Sequence, residues 1–208
     1  MTMLRILALL LSAILWLGLT GCASKGGGTQ VATEVTETQA GPAFLSESLP
    51  SGLQRLLTQA RTAFENEQHE QAVTLLNQAN SEYPDLPQAD VNLAIVYMHQ
   101  EQYDAANRAL ESALMRRANY APALNLQGVL FRIDGQFAAA RATYEQAINV
   151  EPNYANAYLN LAILADLYLQ NYTLALSAFE SYLALVKEDE KVTNWVIDLK
   201  RRMSEEAP

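Results

Sequence analysis

Reactive side chains are scarce in this chain, and the most informative of them is a thiol. Cys22 is the only cysteine among 208 residues, so it has no disulfide partner and no second soft ligand with which to hold a metal. It stands directly after Leu19, Thr20 and Gly21, and the chemistry left to a lone thiol there is nucleophilic attack. His69 and His99 are the only histidines, and neither lies in a spacing that pairs ligands on a metal. The sequence holds no glycine-rich phosphate loop and no serine-nucleophile motif. Glu65, Glu67 and Glu70 cluster, but with Gln68 and His69 between them they read as the solvated turn joining two helices. Neither an enzyme nor a dissociable cofactor is expected.

The elements that position these residues follow a period. Ala72, Ala106 and Ala140 fall 34 residues apart. Each is followed four residues later by a bulky side chain (Leu76, Leu110, Tyr144), then three later by Ala79, Ala113 and Ala147, and five further on by Pro84, Ala118 and Pro152. Steps of four, three and seven return to one face of a helix, so the spacing predicts helices with a large residue between two small ones. Small residues admit a neighbouring helix closely, and the proline ends the run. The preceding half of each unit is also helical, with Leu93, Ala94 and Tyr97 in one copy and Gly128 and Phe131 in the next. A helix-interior glycine costs about 1 kcal/mol against alanine, so Gly128 is expected to sit against a backbone or a ring. A unit of this length cannot bury its apolar face alone and must stack on its neighbours.

The order large residue, Leu-Gly or Leu-Ala, Tyr, then Ala, aromatic, Ala and Pro at set offsets resembles the tetratricopeptide repeat family. The resemblance implies an all-α fold: a right-handed solenoid of antiparallel helix pairs that binds proteins instead of catalysing a reaction. Units are placed at 53–86, 87–120, 121–154 and 155–189. The first is an atypical end copy, with Ala63 where an aromatic is usual. In the fourth, Ala175 and Phe179 arrive one residue late, which points to an extra residue in the turn at 169–171. Beyond it, residues 190–208 read as a capping helix and tail: Val192, Trp195, Val196, Leu199 and Met203 make an apolar stripe, and Lys191, Asp198, Lys200, Arg201 and Arg202 fall on the other side. Trp195 is read as a core anchor.

In this family the first helix of each unit lines the concave side. The period places Arg61, Asn92, Ile95, His99, Asn125, Val129, Arg132, Asn160, Ile163 and Asp166 there, as a face for protein or peptide segments. Asn92 and Asn160 hold the position at which peptide-binding relatives grip a ligand backbone, because an amide offers both donors and an acceptor. Asn125 is one place out of register, and lysines are missing from the groove, which argues against a clamp for a free C-terminal carboxylate.

The amino-terminal end carries an address. A positive Met1–Arg5 segment and an apolar run from Ile6 to Leu17 read as a secretory signal, too short to span a bilayer comfortably. Leu19-Thr20-Gly21-Cys22 resembles a bacterial lipobox. That resemblance implies a signal peptide at 1–21, a diacylglycerol on the Cys22 sulfur and an acyl chain such as palmitate on the new amino terminus, a combination that holds a protein firmly to a membrane. Ala23 and Ser24 lack the aspartate that marks inner-membrane retention in many Gram-negative lipoproteins, so the expected place is the outer membrane, facing the periplasm. Residues 22–52, with three glycines at 26–28 and many Thr, Ser and Glu, read as a flexible linker, although Phe44, Leu45 and Leu49 could dock on the first repeat. The formal charge of −9 and the absence of a basic stripe argue against nucleic acid.

The expected function is a membrane-anchored scaffold, similar in design to the pilotins of type IV pili, which help a secretin to assemble. The alternative is an adaptor for cell-wall enzymes or for an energy-transducing envelope complex, and a third reading is a homodimer formed through terminal helices.

Overall fold

The computed structural model describes residues 49–205, and every regular element among them is a helix. They run in the order α1 (Ser51–Glu65), α2 (His69–Glu82), α3 (Gln88–His99), α4 (Tyr103–Arg116), α5 (Ala121–Ile133), α6 (Phe137–Val150), α7 (Ala155–Leu167), α8 (Tyr172–Val186) and α9 (Glu190–Glu205). Consecutive helices pair as α1–α2, α3–α4, α5–α6 and α7–α8. Each second helix also packs on the first helix of the next pair, and the first helices α1, α3, α5 and α7 touch in sequence. The result is a stack of four hairpins closed by α9, which lies against α8.

The hairpin turns repeat one hydrogen-bond pattern. After α1, the Gln68 N–H donates to Ala63 O (2.8 Å) and the Glu67 N–H to Phe64 O (2.9 Å). The same pair of bonds recurs from Gln102 to Tyr97 and Glu101 to Met98, and from Gln136 to Phe131 and Gly135 to Arg132. This is the Schellman closure of a helix, which needs its second-last residue in the left-handed region. Glu67 (φ 61°), Glu101 (58°) and Gly135 (76°) occupy it, 34 residues apart. In the fourth hairpin the closure is one residue wider. There Asn171 N–H reaches back six residues to Ala165 O, the positive φ moves to Gln170, and the Asn171 side chain caps α8 through Leu174 N–H (3.1 Å). The late arrival of Ala175 and Phe179 thus has a turn to account for it.

The small residues sit where helices meet. Ala72, Ala79, Ala106, Ala113, Ala140 and Ala147 are fully buried together with Leu76, Leu110 and Tyr144. Gly128 is explained by Tyr144: a Cβ there would lie 2.5 Å from the ring carbon Cε1, so the ring occupies the space a side chain would need. The helices α3, α5 and α7 are apolar on nearly every side and correspondingly buried all round, whereas α1 and α9 bury a single stripe and leave a polar outer face. That difference makes α1 and α9 the ends of the stack.

Three expectations need correction. Residues Ser51 and Gly52, assigned to the linker at 22–52, begin α1, because Pro50 stands at its N-cap, where a fixed φ and a missing N–H suit a helix start; Leu49 packs on the core. Arg202, placed on the solvent side of α9, instead turns inward to Asp166. Trp195 is half-buried against Phe179 with Lys191 over its ring, while Val192, Val196 and Leu199 supply the fully buried anchor. The signal at 1–21, Cys22, Phe44 and Leu45 lie outside the described residues.

Candidate docking surface

The first helices of the four hairpins bring the sequence-derived residues into one row, but at a depth the period alone does not reveal. Asn92, Ile95, Asn125, Val129, Arg132, Asn160 and Ile163 are all buried. They were expected to front an open groove. Instead, contact between successive first helices covers these positions, so they form the wall and not the rim. Arg61 is partly exposed and lies 3.7 Å from Glu65 on its own helix.

The asparagines are the chemically active part of that wall. Asn160 Nδ2 donates to Asn125 Oδ1 at 2.8 Å, so the residue one place out of register is the one that links α5 to α7. Asn92 Nδ2 donates back to Gln88 O, also 2.8 Å, inside α3. Asn125 and Asn156 turn to the buried Tyr154 hydroxyl, whereas after these bonds the buried acceptors Asn92 Oδ1 and Asn160 Oδ1 have no hydrogen-bond partner among the described residues. Leaving such a group unsatisfied costs about 1–3 kcal/mol.

Charged positions at the ends of the first helices behave differently from one unit to the next. Arg132 and Asp166, 34 residues apart, occupy equivalent sites. Asp166 is held by Arg202 of α9 through two parallel bonds of 2.9 Å, which pin the closing helix to the fourth hairpin and take Asp166 out of the free wall. Arg132 has no such carboxylate. Its guanidinium lies 5.6 Å from the Tyr168 ring centroid, Nη1 donates to the Tyr168 hydroxyl at 3.4 Å, and the buried Tyr144 hydroxyl is a second hydrogen-bond partner.

Two groupings were not read from the sequence. His99, exposed at the end of α3, meets His69 of the preceding hairpin with ring centroids 5.0 Å apart, and Phe64 packs on both at 5.1 and 5.4 Å. The pair joins non-equivalent positions of two units, so no fixed period exposes it. The second grouping centres on Asp90, which stands where Leu56, Leu124 and Tyr158 stand in the other units; a charge at that apolar place was the available signal. Arg116 Nε lies 3.0 Å from its carboxylate, Asn80 and Ser112 donate to it at 2.7 and 3.0 Å, and Arg116 also reaches Asn80 and Leu86 O. Burial raises the Asp90 carboxyl above its ordinary value, against the lowering pull of Arg116 and the two hydrogen bonds. The network fastens the first hairpin to the second.

Glu65, Glu67 and Glu70 are exposed around the first turn. No group of three or more metal-ligating side chains occurs among the described residues, and no helix among them is long and apolar enough to cross a membrane.

Comparison with known proteins agrees with this geometry. A tetratricopeptide repeat family matches residues 63–130, and a TPR repeat family matches residues 128–171. No curated protein matched the sequence. Among solved structures, the chain is similar in fold to pilF of Pseudomonas aeruginosa (TM-score 0.63, 19% identity, 84% of this chain and 72% of that one). It is also similar to a thermophilic TPR protein of Thermus thermophilus (TM-score 0.61, 20% identity, 73% and 82%), and to MamA of Desulfovibrio magneticus RS-1 (TM-score 0.57, 16% identity, 76% and 88%). With its period, its stacked hairpins and these matches, the chain is a tetratricopeptide repeat protein.

Proposed function

We propose that this protein is a lipid-anchored docking scaffold of the bacterial envelope, tethered through Cys22 to the outer membrane and serving an assembly factor's role for a machine of the pilus or secretin type. The observation that carries the docking part is the stack of four tetratricopeptide hairpins itself. Repeat stacking offers a partner segment a long continuous surface, while the buried asparagines hold the stack beneath it. The anchor rests on the lipobox resemblance at Leu19 to Cys22. Likeness in fold to pilF supports the pilus reading by architecture.

Two experiments separate these parts. Cys22→Ser removes the thiol that lipidation needs, so the repeats should fold while the acyl mass and membrane retention disappear; unchanged fractionation and mass refute the anchor. A photo-crosslinker placed at the exposed His99 in living cells should capture a secretin subunit. Capture of cell-wall synthases or hydrolases instead overturns the pilus reading in favour of an envelope adaptor, and capture of a second copy points to a homodimer.

A further inference from the structure

Stacking sets the four hairpin turns along one edge of the molecule, and that edge is acidic. Glu65, Glu67 and Glu70 stand exposed around the first turn, Glu101 and Asp104 around the second, and Asp134 at the third. The turn segments 65–70, 99–104, 133–138 and 167–172 hold no lysine or arginine. Arg61, 3.7 Å from Glu65, offsets part of the first group. The opposite edge, where each hairpin leads into the next, is mixed, with Asp85, Arg117, Glu151 and Lys187. Carboxylates gathered by the stack on one side raise a negative potential there that attracts cations.

Between the acids runs a ladder of apolar side chains. The second helices open on His69, Tyr103, Phe137 and, one residue late, Tyr172, and the first helices α3, α5 and α7 end on His99, Ile133 and Leu167. Rings meet across successive hairpins, His69 with His99 at 5.0 Å and Phe137 with Tyr168 at 4.9 Å. The ladder is open to solvent: Leu167 is 52% and Tyr103 37% exposed. Burial, and after it the Glu101 charge, raises the Tyr103 hydroxyl above its ordinary value, so acid and ring are neighbours. A lysine or arginine side chain placed there is drawn both by the carboxylate and by the ring face.

We propose that this turn edge is where the partner docks, and that it takes a cationic amphipathic polypeptide segment. Lysine or arginine side chains lie over the first three turns, and an apolar side chain rests on Phe137, Leu167 and Tyr168 beside the fourth, whose residues 167–172 carry no charge. The proposal rests on the docking reading above and adds the place and the chemical class of the segment. A divalent cation does not suit the edge, because no three metal-ligating side chains converge among the described residues. The chain's own residues 22–48 do not complement it either, with Lys25 set against Glu34, Glu37 and Glu47. A second copy would offer the cations of α9, but those are engaged: Lys200 with Glu180, Arg201 with Asp198 and Glu205, and Arg202 with Asp166. A different polypeptide is the occupant that the charge pattern fits.

The test selects short random peptides, acetylated and amidated at their ends, on the detergent-solubilised full chain, and measures the binders by fluorescence anisotropy. The binders should combine Lys or Arg with apolar residues. Affinity should fall about tenfold or more when their cations become glutamine, in the triple variant Glu67→Lys/Glu101→Lys/Asp134→Lys, and in Leu167→Ser, which alters no charge. The opposite-edge variant Asp85→Lys/Glu151→Lys/Glu188→Lys makes the same change in net charge and should leave affinity nearly unaltered. All these positions are exposed, and thermal melts check that each variant is folded. Equal weakening by both triple variants shows a response to net charge alone and overturns the edge. Binders indifferent to the turn variants overturn the edge while leaving the docking reading in place, and recovery of no peptide overturns both. A concentration-dependent dimer abolished by the Glu67, Glu101 and Asp134 reversals puts a second copy on the edge and overturns the separate partner.

Discussion

Glu67 and Glu101 hold backbone angles that suit glycine, and this permits a clean test of how the hairpins are closed. Their equivalent, Gly135, has φ 76°, and a Cβ built on it would meet nothing within 4 Å, so substitution there changes only backbone preference and no packing. Glu67 and Glu101 are exposed with φ of 61° and 58°. A non-glycine residue in the left-handed region costs about 1–2 kcal/mol, and glycine returns roughly 0.4–1 kcal/mol of that through its freer unfolded chain. Glu67→Gly and Glu101→Gly should therefore each stabilise the fold by about 0.5–1 kcal/mol, and Gly135→Ala should destabilise it by a similar amount. In an array of this size that is a Tm shift of roughly 2–4 °C per kcal/mol. Thermal and urea melts of the three single variants and the Glu67→Gly/Glu101→Gly pair measure it. Any departure of the pair from the sum measures coupling between the two turns, which meet through Phe64, His69 and His99. A fall in Tm for either glutamate variant, or no change for Gly135→Ala, refutes the assignment of these turns as left-handed closures.

Gly128→Ala should destabilise the array despite gaining about 1 kcal/mol of helix propensity, since the added carbon meets a buried Tyr144 ring that cannot move aside; a net loss of about 1–3 kcal/mol in denaturant melts is expected. Asp166→Asn should loosen α9 by about 1–3 kcal/mol through loss of its paired bonds to Arg202, seen as faster amide exchange in α9 with α3 unaffected. Burial pushes the Tyr144 hydroxyl up to about 12, against the lowering effect of Arg132. Because the folded-state value lies above the unfolded one, this stability is complete below about pH 10 and is lost as the pH climbs toward 12. Melts across that range, read beside tyrosinate absorbance, should show Tm falling, and less steeply in Tyr144→Phe.

The repeat class was legible because it rests on spacing. Ala72, Ala106 and Ala140 must recur wherever helices touch, and a helix period survives any change of partner. The extra residue in the fourth turn was legible for the same reason, as a shift in Ala175 and Phe179. Depth was not legible. Asn92, Asn125 and Asn160 share a helix face with exposed positions in the pattern, and only the approach of α3, α5 and α7 decides that they are covered. Contacts between non-equivalent positions escaped too. The bond from Asn160 to Asn125 spans 35 residues and that from Arg202 to Asp166 spans 36, each off the period that guided the reading. Asp90 was visible as a charge in an apolar place, yet its partners Asn80, Ser112 and Arg116 lie on two other helices.

The polar fastening at Asp90 also governs how the array bears load. The chain enters the stack at α1, so tension arriving along the preceding residues falls first on the joint between the first and second hairpins. Apolar contacts there yield gradually as surfaces slide. The bonds among Asn80, Asp90, Ser112 and Arg116 are short and directional, and they give way over a fraction of an ångström, releasing together. Under a steady pull the molecule should hold its full length up to a threshold and then shed its first hairpin in one step, with α3 to α9 still stacked behind it.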